Sequence, residues 1–320
     1  MNFFGHMADI TYSGYEQFIQ DVDTCRNNML TADKRLLEDN GITVADLAEE
    51  FDLTNGRMRI NRNGIPFECF FHYKSSEKLY VFLNGALTQQ RPQFARWSYY
   101  KFLDGSVLNI ADPMYTIYDD LLLGWYYGNT DYNLRLYVSD IVKVIAEKIN
   151  VMHQNIIFYG SSGGGAAVIE CASHIAGARA VAINPQVVLS EYSYADEFER
   201  ITHNNLAQDN KWHRNSGIYF LQHNHSSKHF ILVNLRCKPD MIQIENICKA
   251  MGISNIQYGL NVFGDLVIWL YDCECEPYVD SHNLQDNYCL VFAIEKLLEN
   301  IENQNWAEEY GSFYRYINEW

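Results

Sequence analysis

The segment Ile156 to Ala167, reading IIFYGSSGGGAA, holds the residues best arranged for chemistry. Gly160, Ser162 and Gly164 satisfy G-x-S-x-G, with an apolar run before them and a small-residue run after. That pattern builds a nucleophile elbow, a strand-to-helix turn so tight that the residues two before and two after the serine must be small. The turn lifts Ser162 Oγ above the sheet and sets it at the positive end of a helix, with the Gly163 N–H facing a developing oxyanion. Two other readings compete. A phosphate-cradling loop would need a Walker lysine or a G-x-G-x-x-G order, and neither is present. A purely structural glycine-rich turn is the blander alternative.

A serine nucleophile needs a base to take its proton and an acid to orient that base. On a strand–turn–helix elbow the chain order is Ser, then Asp or Glu, then His. Of the ten histidines, His282 follows the final apolar run and precedes the closing helical stretch, in Asp280-Ser281-His282-Asn283. Its plain alternative is a surface-loop histidine. Asp240 sits five residues after Leu235 and is the acid candidate, although a helix N-cap after Lys238-Pro239 would look the same. Asp272 is the main rival and Asp265 a weaker one. The second oxyanion donor is expected at Gly85 or Ala86, after Tyr80-Val81-Phe82-Leu83-Asn84.

A metal site is the competing chemistry. His223, His225 and His229 cluster, as do Cys273 and Cys275, but neither Cys-x-x-Cys nor His-Glu-x-x-His occurs, so no metal is assigned. Thr43 to Arg57 has a faint helix-turn-helix look. Acidic residues outnumber basic ones from Asp33 to Arg59, however, which is the wrong balance for a phosphate-facing surface.

The elements that must carry these residues follow from periodicity. Tyr15 to Leu30 and Ala32 to Glu38 read as helical, Asn40-Gly41 breaks the pattern, and a short helix is expected from Thr43 with that residue as N-cap. Strand character follows at Met58–Ile60, Phe67–Tyr73, Leu79–Leu83 and Val107–Ile110. Beyond these, a helix over 134–149, strands at 156–159, 180–183, 230–235 and 266–271, and helices at 164–175, 241–251 and 287–302 alternate. Strands alternating with helices indicate a mostly parallel α/β sheet. The expected division is an N-terminal helical and β-hairpin extension over 1–75 and a catalytic domain over 76–320, with a lid or insertion at 187–229.

Composition narrows the partners. The 320 residues carry 24 Lys and Arg against 40 Asp and Glu, a net charge of −16, which disfavours nucleic acid and anionic membranes. No targeting segment or membrane-length apolar stretch is visible, so no transmembrane segment is expected. Eight scattered cysteines without a signal peptide suggest reduced thiols and a cytoplasmic location. The 23 Tyr, 17 Phe and 6 Trp form an aromatic excess. Trp97, Trp125, Tyr126 and the Tyr192–Tyr194 segment lie in loop-like stretches flanking the elbow, where rings as a set lean towards stacking on sugars, although core packing is the commoner fate of any one aromatic.

The Asn84-Gly85-Ala86 strand end, the Gly160–Gly164 elbow and the late His282 resemble the α/β-hydrolase superfamily over roughly 79–302. A narrower likeness adds Asp112-Pro113, Gly124-Trp125-Tyr126-Tyr127-Gly128 and Ala182-Ile183-Asn184-Pro185-Gln186. Together these resemble bacterial surface-glycan O-acetyltransferases, a group that includes capsule enzymes and an accessory protein acting on adhesin glycans. The resemblance implies an α/β-hydrolase fold and Ser–His–Asp acyl transfer to a carbohydrate hydroxyl. It also implies acetyl-CoA as donor substrate and no tightly bound cofactor. A carbohydrate esterase with the same triad and a non-catalytic glycan-binding scaffold remain the alternatives, and a homo-oligomer is compatible with all three. The acid has no clear family motif.

Overall fold

The computed structural model describes residues 27–39, 42–86, 92–223, 226–271 and 282, together with positions 20 and 24. Asp272, Cys273, Cys275, His225 and the helix expected over 287–302 lie outside the described residues.

A ten-stranded sheet is the frame. Its strands are β1 (Thr43–Asp46), β2 (Gly56–Arg62), β3 (Ile65–His72), β4 (Leu79–Leu83), β5 (Ser106–Ile110), β6 (Ile156–Ser161), β7 (Arg179–Ile183), β8 (Lys228–Asn234), β9 (Gly259–Phe263) and β10 (Leu266–Tyr271). They lie in the order β1-β2-β3-β5-β4-β6-β7-β8-β10-β9. The run from β5 to β10 is parallel, β3 is antiparallel to both its neighbours, and β9 closes the far edge antiparallel to β10. The N-terminal hairpin β2–β3 is hydrogen-bonded into the same sheet through β3 and β5.

Helices with both ends among the described residues are α1 (Met114–Ile117), α2 (Leu134–Lys148), α3 (Gly163–Ser173), α4 (Ala195–Thr202), α5 (Gly217–His223) and α6 (Lys238–Met251). Side chains alternate across a strand with period two, so each central strand serves two cores. Leu79, Val81 and Leu83 face the layer built by α2, α3 and α6, where Val138, Ile141, Ala167 and Ile244 are buried. Tyr80 and Phe82 point the other way, into a layer of Tyr99, Tyr159, Trp269 and Tyr271. Both faces being covered explains why the strands read as near-continuous apolar runs.

Two expectations fail near the N-terminus. The helix expected from Thr43 is the strand β1, paired in parallel with β2, and only Ala45 is buried in its alternating pattern. Val44, Leu47 and Phe51 match helical spacing, but sheet pairing of a β-branched Thr-Val start outweighs that weak signal. The helix-turn-helix reading falls with it. The expected Ala32–Glu38 helix is a single 3-10 turn over Lys34–Leu37, with Asp33 accepting from the Arg35 N–H as its cap. Strand β9 has no counterpart among the sequence expectations. Its two-residue connection to β10 is Gly264-Asp265, with Gly264 at φ +64°, a turn glycine can form without strain. No helix among the described residues is long and apolar enough to cross a membrane.

Candidate active site

Five groups of interest sit at the carboxyl ends of parallel strands, the edge where open α/β sheets bind ligands. Gly85 follows β4, Ser162 follows β6, Asn184 and Gln186 follow β7, Asp240 lies beyond β8, and His282 lies beyond β10.

Ser162 has φ 56° and ψ −122°, a conformation few non-glycine residues adopt. The fold holds it there. Its N–H donates to the Ile183 carbonyl at 2.9 Å and its carbonyl accepts from Ala166 at 3.2 Å, starting α3. The flanking glycines are steric requirements. A Cβ on Gly160 would fall on the Gly164 carbonyl, and one on Gly164 would lie 2.5 Å from the Leu83 oxygen. Gly85 lies against Ser162: a Cβ there would be 3.0 Å from the Ser161 oxygen and 3.3 Å from Ser162 Cβ. Half-buried Ala86 follows it.

Among the described residues, Ser162 Oγ has one hydrogen-bond partner, Gln186 Nε2 at 2.8 Å. The other end of that amide bonds Trp125 Nε1. An indole N–H can only donate, so Gln186 must turn Oε1 to Trp125 and its NH2 to Ser162. The serine hydroxyl thus accepts from Gln186 and keeps its own proton to donate. Gln186 and Trp125 are both buried.

His282 Nδ1 lies 2.9 and 2.8 Å from the two carboxylate oxygens of Asp240, which is wholly buried in the first turn of α6. A carboxylate only accepts, so Nδ1 carries the proton and Nε2 of the neutral ring carries the lone pair, as a general base requires. Asn184, left-handed at φ 46°, organises this corner. Its Nδ2 donates to the His282 carbonyl at 2.5 Å, and its Oδ1 accepts from the Asn234 N–H at 3.2 Å and from Tyr271 Oη at 3.3 Å. One side chain thereby ties the ends of β7, β8 and β10 to the histidine.

Asp265 precedes β10 and so stands at the opposite end of the sheet, roughly 17 Å along the strand. His223 stacks on Tyr219 at 4.2 Å, and the buried His229 ring bonds Ser227 Oγ and is pushed down to about 4 by desolvation. Among the described residues, Cys237, Asp240 and His282 are the group close enough together to share an ion.

Trp125 and Tyr126, expected to face a sugar, are 1% and 0% exposed. Burial removes both from the rings able to stack on a substrate. They support the site from beneath. Both are left-handed, at φ 52° and 54°. The Tyr126 N–H donates to Asp112 Oδ2 at 2.8 Å, and Arg135 Nε donates to the Trp125 carbonyl at 2.9 Å. Tyr126 Oη donates to the Ile110 carbonyl and accepts from the Asn84 N–H, so it braces the strand end before Gly85. Burial raises Asp112 to about 6, opposed by the N–H groups of Tyr126 and Met114. Arg135 pairs with fully buried Glu170 at 2.9 Å, and with desolvation overcome by His174, Arg135 and Asn133, that carboxyl is lowered. Trp97 is half-buried and packs edge-on against Phe70 at 5.7 Å. Among the described residues the Tyr192 ring lies near His282, at 6.1 Å, and is stacked on Tyr194 at 6.2 Å.

Gln186 and Asn184 received no role from the sequence. Their signal was there: polar side chains directly after a parallel strand, in Asn184-Pro185-Gln186, stand where ligands bind.

A mostly parallel sheet between helical layers, a strained serine between strand and helix, and a His–Asp pair from the last strands define a fold of α/β-hydrolase type. No protein-family model matches the chain, and no curated protein matches it. Solved structures do. Capsule O-acetyltransferase of Neisseria meningitidis serogroup A aligns over 76% of this chain and 96% of its own, with TM-score 0.52 and 15% identity. The Glycosylation Associate Protein (Gap123) complex of Streptococcus agalactiae aligns over 77% of this chain, with TM-score 0.53 and 12% identity; the match spans 46% of that chain. A dipeptidyl peptidase 4 of Porphyromonas gingivalis aligns over 77% of this chain and 35% of its own, with TM-score 0.50 and 12% identity. At these identities the shared property is the fold.

Proposed function

We propose that this chain is a serine acyltransferase that moves acetyl from acetyl-CoA to a hydroxyl of a surface glycan. The observation that carries the reading is the His282–Asp240 pair at the same sheet edge as a strained Ser162 lying against Gly85. Ser162 Oγ attacks the thioester carbonyl as His282 Nε2 takes its proton, and the N–H groups of Gly163 and of Gly85 or Ala86 receive the oxyanion. Collapse expels the CoA thiolate, which takes the proton from His282 and leaves acetyl-Ser162. A sugar hydroxyl then gives its proton to His282 and attacks the acetyl carbon, and the departing Ser162 oxygen recovers that proton. Gln186 holds the serine oxygen in place throughout.

CoA as donor is supported by a variant of the meningococcal enzyme solved in complex with CoA, which shares this fold at TM-score 0.51 and 14% identity. The stacked Tyr192–Tyr194 pair beside His282 supports a carbohydrate acceptor. Water in place of the sugar would make the same residues an esterase. The reach of Asp240 to His282 weighs against a non-catalytic scaffold. The test uses purified protein, radiolabelled acetyl-CoA and a panel of capsule-type glycans. Label transferred by wild type and lost in Ser162→Ala supports the proposal; transfer that survives Ser162→Ala overturns it. Hydrolysis of acetyl esters without transfer selects the esterase, and Asp240→Asn at wild-type rate rejects the acid.

A further inference from the structure

Arg96 stands next to the elbow with its charge unanswered. Four other buried or half-buried arginines have carboxylate partners: Arg57 with Glu68, Arg62 with Asp140, Arg135 with Glu170, Arg214 with Asp209. Arg96 has none among the described residues. Its Nη2 makes a long 3.3 Å bond to the hydroxyl of Ser161, the residue before the nucleophile. Its Nε–H is buried without a partner. A guanidinium stays charged at any working pH, and a partly desolvated one with open donors is costly to hold.

The backbone pays further to hold it. Arg96 is left-handed at φ 62°. Buried Asn84, the residue before Gly85, bolts its loop to the oxyanion strand: Asn84 Oδ1 accepts from the Ala95 N–H at 2.9 Å and Nδ2 donates to the Gln93 carbonyl. The Arg96 carbonyl in turn accepts from the Tyr99 N–H at 3.0 Å. Strain concentrated at a site edge and fixed from several sides is the mark of a residue kept for a ligand.

We infer that Arg96 binds an oxyanion, carboxylate or phosphate, carried by the acyl acceptor beside its reacting hydroxyl. This rests on the acyl-transfer reading for the word acceptor, but not for the binding itself. An acidic sugar carries its charge on or next to the ring that reacts. The phosphates of CoA lie a whole pantetheine arm away from the thioester, so a cation one residue from the nucleophile suits the acceptor better than the donor. Planar guanidinium donors match either oxyanion in two-point fashion. The net charge of −16 makes this local cation a selective feature, because the rest of the surface repels acidic glycans.

Calorimetric titration of the full chain with a glucuronate-containing tetrasaccharide, its carboxyl-reduced neutral counterpart and CoA tests the assignment. Wild type should bind the acidic sugar more tightly than the neutral one. Arg96→Gln should weaken the acidic sugar by about ten- to hundredfold, the size of a charge-assisted hydrogen bond, and should weaken CoA far less. Arg96→Lys should recover part of the loss. Equal affinity of wild type for acidic and neutral sugars, or an equal loss for CoA, overturns the assignment. Absence of Ser162-dependent acyl turnover with the Arg96 preference intact would reject the acyltransferase reading and leave the anion site standing.

Discussion

Replacing Gln186 with Leu removes the middle of the chain Trp125–Gln186–Ser162 at nearly constant volume. The Trp125 N–H then loses its acceptor in a site 1% exposed, and an orphaned buried donor costs about 1–3 kcal/mol. With an unfolding entropy of roughly 2.1 cal/mol/K per residue, a chain of this length gives roughly 0.7 kcal/mol per degree, so Tm should fall by about 1.5–4.5 °C. Ser162 loses its 2.8 Å donor at the same time. A neutral hydrogen bond that holds the nucleophile is worth about 0.5–1.5 kcal/mol, or roughly two- to tenfold in kcat/KM. Scanning calorimetry and hydrolysis of p-nitrophenyl acetate read the two effects separately. A double-mutant cycle sharpens the test, because Trp125→Phe deletes the orphaned donor itself. The stability loss in Gln186→Leu/Trp125→Phe should therefore be smaller than the sum of the singles by about 1 kcal/mol or more. Strict additivity, or an unchanged Tm in Gln186→Leu, would refute the relay.

Gly85→Ala places a methyl 3.0 Å from the Ser161 oxygen and 3.3 Å from Ser162 Cβ; the fold should persist by circular dichroism while kcat for ester hydrolysis falls about 100-fold, as a misplaced nucleophile does. Glu170→Gln leaves Arg135 as a buried cation without its counter-charge and should destabilise by about 3–5 kcal/mol in urea melts. Asp112 gives a pH signature. Its folded value of about 6 lies above the ordinary 3.8, so the folded state binds the extra proton between those limits and stability falls as pH rises through them. The cost of Asp112→Asn, measured by urea melts, should therefore be largest near pH 4 and about 3 kcal/mol smaller above pH 6. A cost independent of pH would contradict burial as the cause.

The elbow was legible because steric exclusion writes itself into sequence: only glycine fits at positions 160 and 164, where a Cβ meets backbone. That His282 and Asp240 would meet was legible through chain order, which follows from parallel strands delivering loops to one edge. The 43–46 segment was not, since its choice between helix and strand was made by pairing with β2, a partner no local pattern announces. Nor were the partners of Asn184, Gln186 and Arg96. Their roles depend on contacts 24 to 98 residues away in sequence, with Ser162, Ser161 and His282.

The tyrosine excess makes the same point about composition. A ring beside an active-site motif looks like a sugar platform, yet Tyr80, Tyr126, Tyr127 and Tyr271 are buried and spend their hydroxyls on Asp104, the Ile110 carbonyl, Asp209 and Asn184. A phenol fills core volume and satisfies a polar group in one residue. That combination suits this sheet edge, where strained turns at Trp125, Tyr126, Ser162 and Asn184 leave backbone and side-chain polar groups that ordinary pairing cannot reach. Tyr126 and Tyr271 in particular brace the Asn84 and Asn184 turns at the strand ends beside Gly85 and His282. On the proposed function, recognition falls to the few groups at that edge, Tyr192 6.1 Å from His282 and Arg96 against Ser161.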